Sequence, residues 1–187
     1  MVDRAQAFAL FQEHCKTDAL MRHALAVEAC MRAYGRKVGE DGERWGIVGM
    51  LHDFDWDICP TPKDHPQFGA GILRQRGYPD DIVRAVLSHG NHTGIPRETL
   101  MEKALFALDE LSGFVTAVAL VRPNRSLAEV DAKSVRKKMK DKAFARAVNR
   151  DDMLQGAQEL GVDLDELVAF VADALKPVAV ELGLKAA

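Results

Sequence analysis

In the run LHDFDWD, residues 51–57, an almost wholly apolar segment from Trp45 to Leu51 ends abruptly in His52, Asp53, Asp55 and Asp57. A buried carboxylate is costly unless it is paired or bound to a cation. Acids at a helix C-terminus also oppose the helix dipole, which favours them at the N-terminus. A positive partner is therefore expected nearby. Six histidines are available: His14, His23, His52, His65, His89 and His92. His23 falls inside an apolar helical run, His52 ends one, His65 precedes another, His89 ends a third, and His92 follows in a loop. Asp109 lies among apolar residues, where a solitary acid is expensive. Imidazole and carboxylate together suit Mn, Fe, Co, Ni or Zn, and no thiolate is placed to compete. A carboxylate can bridge two cations that activate a water between them. The expected positive partner is a bound divalent transition metal.

The elements that must position these residues read as helices throughout, with no strand-like alternation between turn signals. Ala5 to Lys16 predicts a short amphipathic helix. Asp18 is placed to cap a second, running to about Lys37, with Ala24, Val27, Met31 and Tyr34 on one stripe. A third runs from Glu43 to about Asp53, where Gly46 and Gly49 allow close backbone approach. The prolines at 60 and 62 make residues 54–64 a loop. Pro66 and Pro79 open the next two helices, which stop at Gly77 and at His89-Gly90. A long buried helix is expected from Glu98 to about Val121. Shorter helical pieces follow over residues 126–131, 134–140, 142–149 and 151–160. A last helix starts after Asp163, with Pro177 placed to kink it. The fold class is all-α, a compact helical bundle. Residues 1–125 form the core carrying the metal ligands, and residues 126–187 form a C-terminal helical extension packed on it.

The chain has 187 residues, 48% hydrophobic and 28% charged, enough to bury a real core and too apolar for disorder. A net charge of −3 supplies no global field for nucleic acid. The three cysteines, Cys15, Cys30 and Cys59, form no CxxC pair, which argues against a disulfide framework or a zinc–thiolate site and fits a reducing compartment. The N-terminal stretch lacks the apolar run and cleavage site of a signal peptide. Ala104 to Val121 is long enough to span a bilayer, but Asp109 and Glu110 interrupt it. The expectation is a cytoplasmic protein with no membrane and no nucleic-acid partner.

The order His23, then His52-Asp53, then Asp109 resembles the H…HD…D pattern of the HD-domain phosphohydrolase superfamily, carried on helices of an all-α bundle. His52 follows His23 by 29 residues and Asp109 follows Asp53 by 56. The segments KDHPQFGAGIL and AVLSHGNHTG, with His65 and His89, are similar to the HD-type diadenosine tetraphosphate hydrolases. The whole chain looks like a bacterial group of predicted HD hydrolases. The resemblance implies one metal on His23, His52, Asp53 and Asp109, and a second that shares Asp53 and adds His65 and His89. It also implies phosphoester hydrolysis by a metal-activated water that Asp53 orients. Gly77-Tyr78-Pro79 spells the signature of the HD-GYP branch but sits between two helices as a turn, and is read as chance. The lysine that often follows HD in the tetraphosphate hydrolases is replaced here by acids.

Asp57 lies four residues after Asp53, where some single-metal HD enzymes place a second acid for proton transfer. The alternative is a loop acid that caps the next turn or stands solvated beside Lys63. His92, Lys63 and Arg97 are candidate substrate contacts, with Arg122 and Arg125 as further cations for phosphate. Arg122 stands about 20 Å beyond Asp109 on a straight helix and reads better as a surface or interface group. His14 reads as surface. The substrate class is a small phosphoester, nucleotides included. Two other readings compete: an HD bundle that holds a phosphorylated ligand without turnover, and a helical scaffold whose histidines are structural.

Overall fold

In a computed structural model, residues 3–59, 61 and 63–186 are described. The prolines on which the 54–64 loop reading partly rested, Pro60 and Pro62, lie outside them, as do Met1 and Val2 of the N-terminal stretch read as lacking a leader. The described residues form α-helices joined by turns and short 3-10 segments, and contain no strand. They are α1 (Arg4–His14), α2 (Asp18–Lys37), α3 (Gly42–Leu51), α4 (Gln67–Gln75), α5 (Asp80–Ser88), α6 (Leu100–Leu120), α7 (Ala132–Met139), α8 (Arg150–Leu160) and α9 (Leu164–Leu175).

Local chemistry sets the boundaries. Asp3, Thr99 and Asp131 form capping boxes at the starts of α1, α6 and α7. Asp41, Asn149 and Asp163 accept first-turn amides at the starts of α3, α8 and α9. The cap of α2 is Thr17, which accepts from the amide of Leu20. Asp18, expected as the cap, is instead the first helical residue, where its charge still complements the dipole. Pro66 sits one place before α4, as its cap. Pro177 lies in a 3-10 turn that follows α9.

The core is built around α6, whose Leu105, Leu108, Phe114 and Val118 are fully buried. Helices α2, α5, α8 and α9 all pack on it, and α3 lies along α2. Helix α3 approaches α2 closely at Gly49, where an added Cβ would stand 2.7 Å from the carbonyl oxygen of Val27. Gly156 does the same for α8, with Ala107 Cα only 2.6 Å from where its Cβ would be. The helix expected over residues 142–149 does not form. There the Arg150 guanidinium takes the carbonyls of Phe144 and Ala145, which a helix would use internally, and that of Val148. Ala145 adopts a left-handed conformation, with φ of 42°. Residues 142–147 are turns, and they bring Ala147, Val148 and Asn149 to the face of α6 that carries Asp109. The cysteines are free thiols. Among the described residues, no helix is long and apolar enough to cross a membrane.

Candidate metal centre

Six ligand-type residues come together from five places in the fold: His23 on α2, His52 and Asp53 at the end of α3, His65 just before α4, His89 at the end of α5, and Asp109 midway along α6. They fall into two groups, His23–His52–Asp109 and Asp53–His65–His89. In the first, His23 Nε2 stands 3.1 Å from His52 Nε2 and 3.0 Å from Asp109 Oδ1, and His52 Nε2 is 3.4 Å from the same oxygen. In the second, Asp53 Oδ1 lies 3.1 Å from His65 Nε2 and 3.2 Å from His89 Nε2, which are themselves 3.2 Å apart. The other oxygen of Asp53, Oδ2, turns to the first group, 3.7 Å from His23 Nε2 and 3.5 Å from His52 Nε2.

Hydrogen bonding decides which ring nitrogens are free. His52 Nδ1 faces the Gly49 carbonyl at 2.7 Å, His89 Nδ1 the Val86 carbonyl at 2.6 Å, and His65 Nδ1 the Asp55 carboxylate at 2.7 Å. Each of these acceptors needs a proton on Nδ1, so in neutral rings each Nε2 carries a lone pair. The His65 and His89 lone pairs then face each other beside a carboxylate, an arrangement that calls for a cation between them. Two ligands about 2.1 Å from one ion at tetrahedral or octahedral angles are roughly 3.0–3.4 Å apart, close to the separations within each group. The donor set fits divalent transition metals.

The electrostatics are those of a cluster built to hold positive charge. Burial works against charge on His52, but Asp53 and Asp109 outweigh it and hold its pKa well above the usual imidazole range. Burial likewise opposes a charged His65, yet bonds to Asp53 and Asp55 raise its pKa to about 9. Asp53 and Asp109 are desolvated too, but the histidines around them hold both carboxyls below the ordinary range.

Asp55 is the residue whose role the sequence left unread. It is fully buried, accepts from the Gly69 amide at 2.8 Å as well as from His65, and so fixes both the orientation and the tautomer of His65. Asp57 lies outside the cavity beside the cluster, which corrects its expected place as a second acid. Its carboxylate accepts from the Lys16 and Thr17 amides at 2.6 and 2.8 Å and from the Thr17 hydroxyl, tying the α1–α2 linker to the turns after α3. It is structural, as the alternative reading held, but it serves a linker some forty residues earlier and not the next turn.

The cavity has a volume of about 650 Å³. Donors from both groups line one side, with His92, Trp56, Asn91, Glu110, Asn149 and Asp152 around them. His92 packs over Gly90 and places Nε2 3.0 Å from the carbonyl oxygen of His65. Burial and the neighbouring charge of Asp109 push the Glu110 carboxyl up to about 8. Lys63 is exposed and does not line the cavity, nor do Arg122 and Arg125. Arg97, expected to meet substrate, is committed elsewhere. It pairs with Glu159 at 2.7 Å, donates to the Ser88 carbonyl and to Asn91, and stacks on the Phe106 ring at 3.6 Å. His14 is half-buried, edge-on to Phe54, and not a surface group.

An all-α bundle that gathers two histidine–aspartate groups around one carboxylate defines a class of helical metal-binding proteins. The family model described as HD domain matches residues 20–177, and the chain belongs to that family, the HD-domain metal-dependent phosphohydrolase superfamily. The match runs from α2 through α9 and so includes the helices after residue 125. No curated protein and no solved structure matches the chain.

Proposed function

We propose that this protein is a metal-dependent phosphohydrolase that cleaves a small phosphoester, nucleotides included, with divalent transition metals held in both groups. The observation that carries the reading is the division of Asp53, one oxygen toward His65 and His89, the other toward His23 and His52. Ions bound there supply charge to neutralise a phosphoryl group and lower the pKa of a water toward neutrality. The chain's own contribution is geometric. His23, His52 and Asp109 would hold one ion and His65 and His89 the other, with Asp53 placed to serve both groups and to orient the attacking water. Asp55 keeps the His65 lone pair aimed inward, and His92 stands where it can meet substrate. The cavity is of a size for a small molecule and not for a duplex, so a nucleic-acid partner is not part of the proposal.

The test is elemental analysis of tag-free protein purified without chelators, followed by phosphate release from small phosphoesters. The expected result is ion-dependent release that Asp53→Ala abolishes together with metal content. Tight binding of phosphate without turnover would favour the ligand-holding module instead. Failure to take up Mn, Fe, Co, Ni or Zn on reconstitution would refute both.

A further inference from the structure

The lining of the cavity carries no lysine or arginine among the described residues. Besides the ligand groups, its polar residues are Glu110 on α6, Asp152 on α8, His92, and Asn91 and Asn149, with Trp56 and Phe106 in its apolar part. Asp152 accepts from Asn91 Nδ2 and from Asn149 Nδ2, both at 2.9 Å, so neutral amides bond its carboxylate directly and Arg97 acts on it only from behind Asn91. The guanidinium behind this wall, Arg97, is only 6% exposed and already neutralised by Glu159.

Sites that take polyphosphates commonly meet the phosphoryl groups that no metal holds with Lys or Arg, or with backbone amides at a helix N-terminus. Here the lining offers no lysine or arginine beyond the histidine–aspartate groups, and the Asp152 carboxylate repels a further anion in a partly desolvated space. Volume does not impose the limit, since about 650 Å³ lies well within the range of small-molecule pockets. We infer that the site selects esters with a single phosphoryl group, whose organic part is uncharged or cationic and offers hydroxyl or amine donors to Glu110 and Asp152. Di- and triphosphates and dinucleoside polyphosphates are rejected by charge. Trp56, 39% exposed and edge-on to His65, offers an apolar face to a sugar ring or a base. In the reaction, the water oxygen forms a new bond to phosphorus and the bond from phosphorus to the organic oxygen breaks. That oxygen leaves as an alcohol with one of the water's protons, beside inorganic phosphate. The inference rests on the phosphohydrolase reading.

The experiment uses the full chain reconstituted with metal. It compares kcat/KM for adenosine mono-, di- and triphosphate and glucose 6-phosphate, with calorimetric binding of inorganic phosphate and pyrophosphate as a readout independent of turnover. The expected result is at least about tenfold preference for the monophosphates over the triphosphate, and for phosphate over pyrophosphate, as like-charge repulsion requires. Asp152→Asn, and Asp152→Ser as a second variant, are expected to narrow both gaps. Equal or better use of the triphosphate by the unaltered protein would overturn the inference while leaving phosphohydrolysis standing. Discrimination unchanged in both variants would remove Asp152 as its source and overturn the inference as stated. Neither turnover nor binding of any of these probes would overturn the phosphohydrolase reading, and the inference with it.

Discussion

Replacing Asp55 with asparagine tests whether the tautomer of His65 is what makes the second group a metal site. The two side chains have the same shape, so packing around this fully buried position is kept. What changes is that one of two acceptors becomes a donor. The two present acceptors serve the Gly69 amide at 2.8 Å and His65 Nδ1 at 2.7 Å. If the asparagine oxygen keeps Gly69, its NH2 faces His65, whose proton must move to Nε2 and occupy the lone pair meant for metal. If the oxygen keeps His65, the NH2 opposes the buried Gly69 N–H, at a cost of about 1–3 kcal/mol. The first arrangement makes two good hydrogen bonds and is the one expected. Disturbing a group that orients a ligating histidine lowers metal affinity roughly 10–100-fold, equivalent to about 1.4–2.8 kcal/mol. The assay is metal titration followed by calorimetry, with circular dichroism to check the fold. Affinity at Asp53–His65–His89 should fall while His23–His52–Asp109 keeps its ion. A folded Asp55→Asn protein with unchanged affinity at both groups would refute the argument.

Gly49→Ala forces a methyl to within 2.7 Å of the Val27 carbonyl oxygen. It should cost about 1–3 kcal/mol in urea unfolding and, by separating α2 from α3, weaken metal binding at His23 and His52. Arg97→Met leaves Glu159 without its ion-pair partner, with only Gln155 still donating to it. Because Glu159 is 26% exposed, the loss should fall below the buried-pair range, at about 2–3 kcal/mol by the same assay, and Arg97→Lys should not restore it, lacking the fork that serves three acceptors. For chelator-treated protein, stability should fall as pH rises. Protonated His65 has a folded pKa of about 9 against roughly 6.5 unfolded, so its contribution is complete below about pH 6.5 and is lost as pH passes 9. That slope, on the order of 3 kcal/mol, should be absent from metal-loaded protein unfolded over the same pH range.

Helical periodicity made most of the fold legible, since apolar stripes and turn residues act over a few positions. The residue types and order of His23, His52, Asp53, His65, His89 and Asp109 also pointed to one place, because buried carboxylates need a cation. Asp55 was not legible as the partner of His65. Its role depends on the chain turning back so that residue 65 meets residue 55, which local spacing does not encode. Asp57 and Arg97 show the converse: their types suit catalysis and phosphate binding, but tertiary neighbours claim them first. The acidic wall was hidden for a related reason. Asn149 and Asp152 reach the cavity only because Gly156 lets α8 lie against α6 and Arg150 unwinds the segment before it.

That wall comes from late in the chain, and the order of synthesis gives this meaning. The ligating side chains, residues 23 to 109, leave the ribosome before Asn149 and Asp152 exist to enclose them. Until α8 docks on α6, the donors lie on the open side of a growing chain, the interval in which an ion reaches them with least hindrance. A segment made after all six donors therefore closes one side of the cavity that they line.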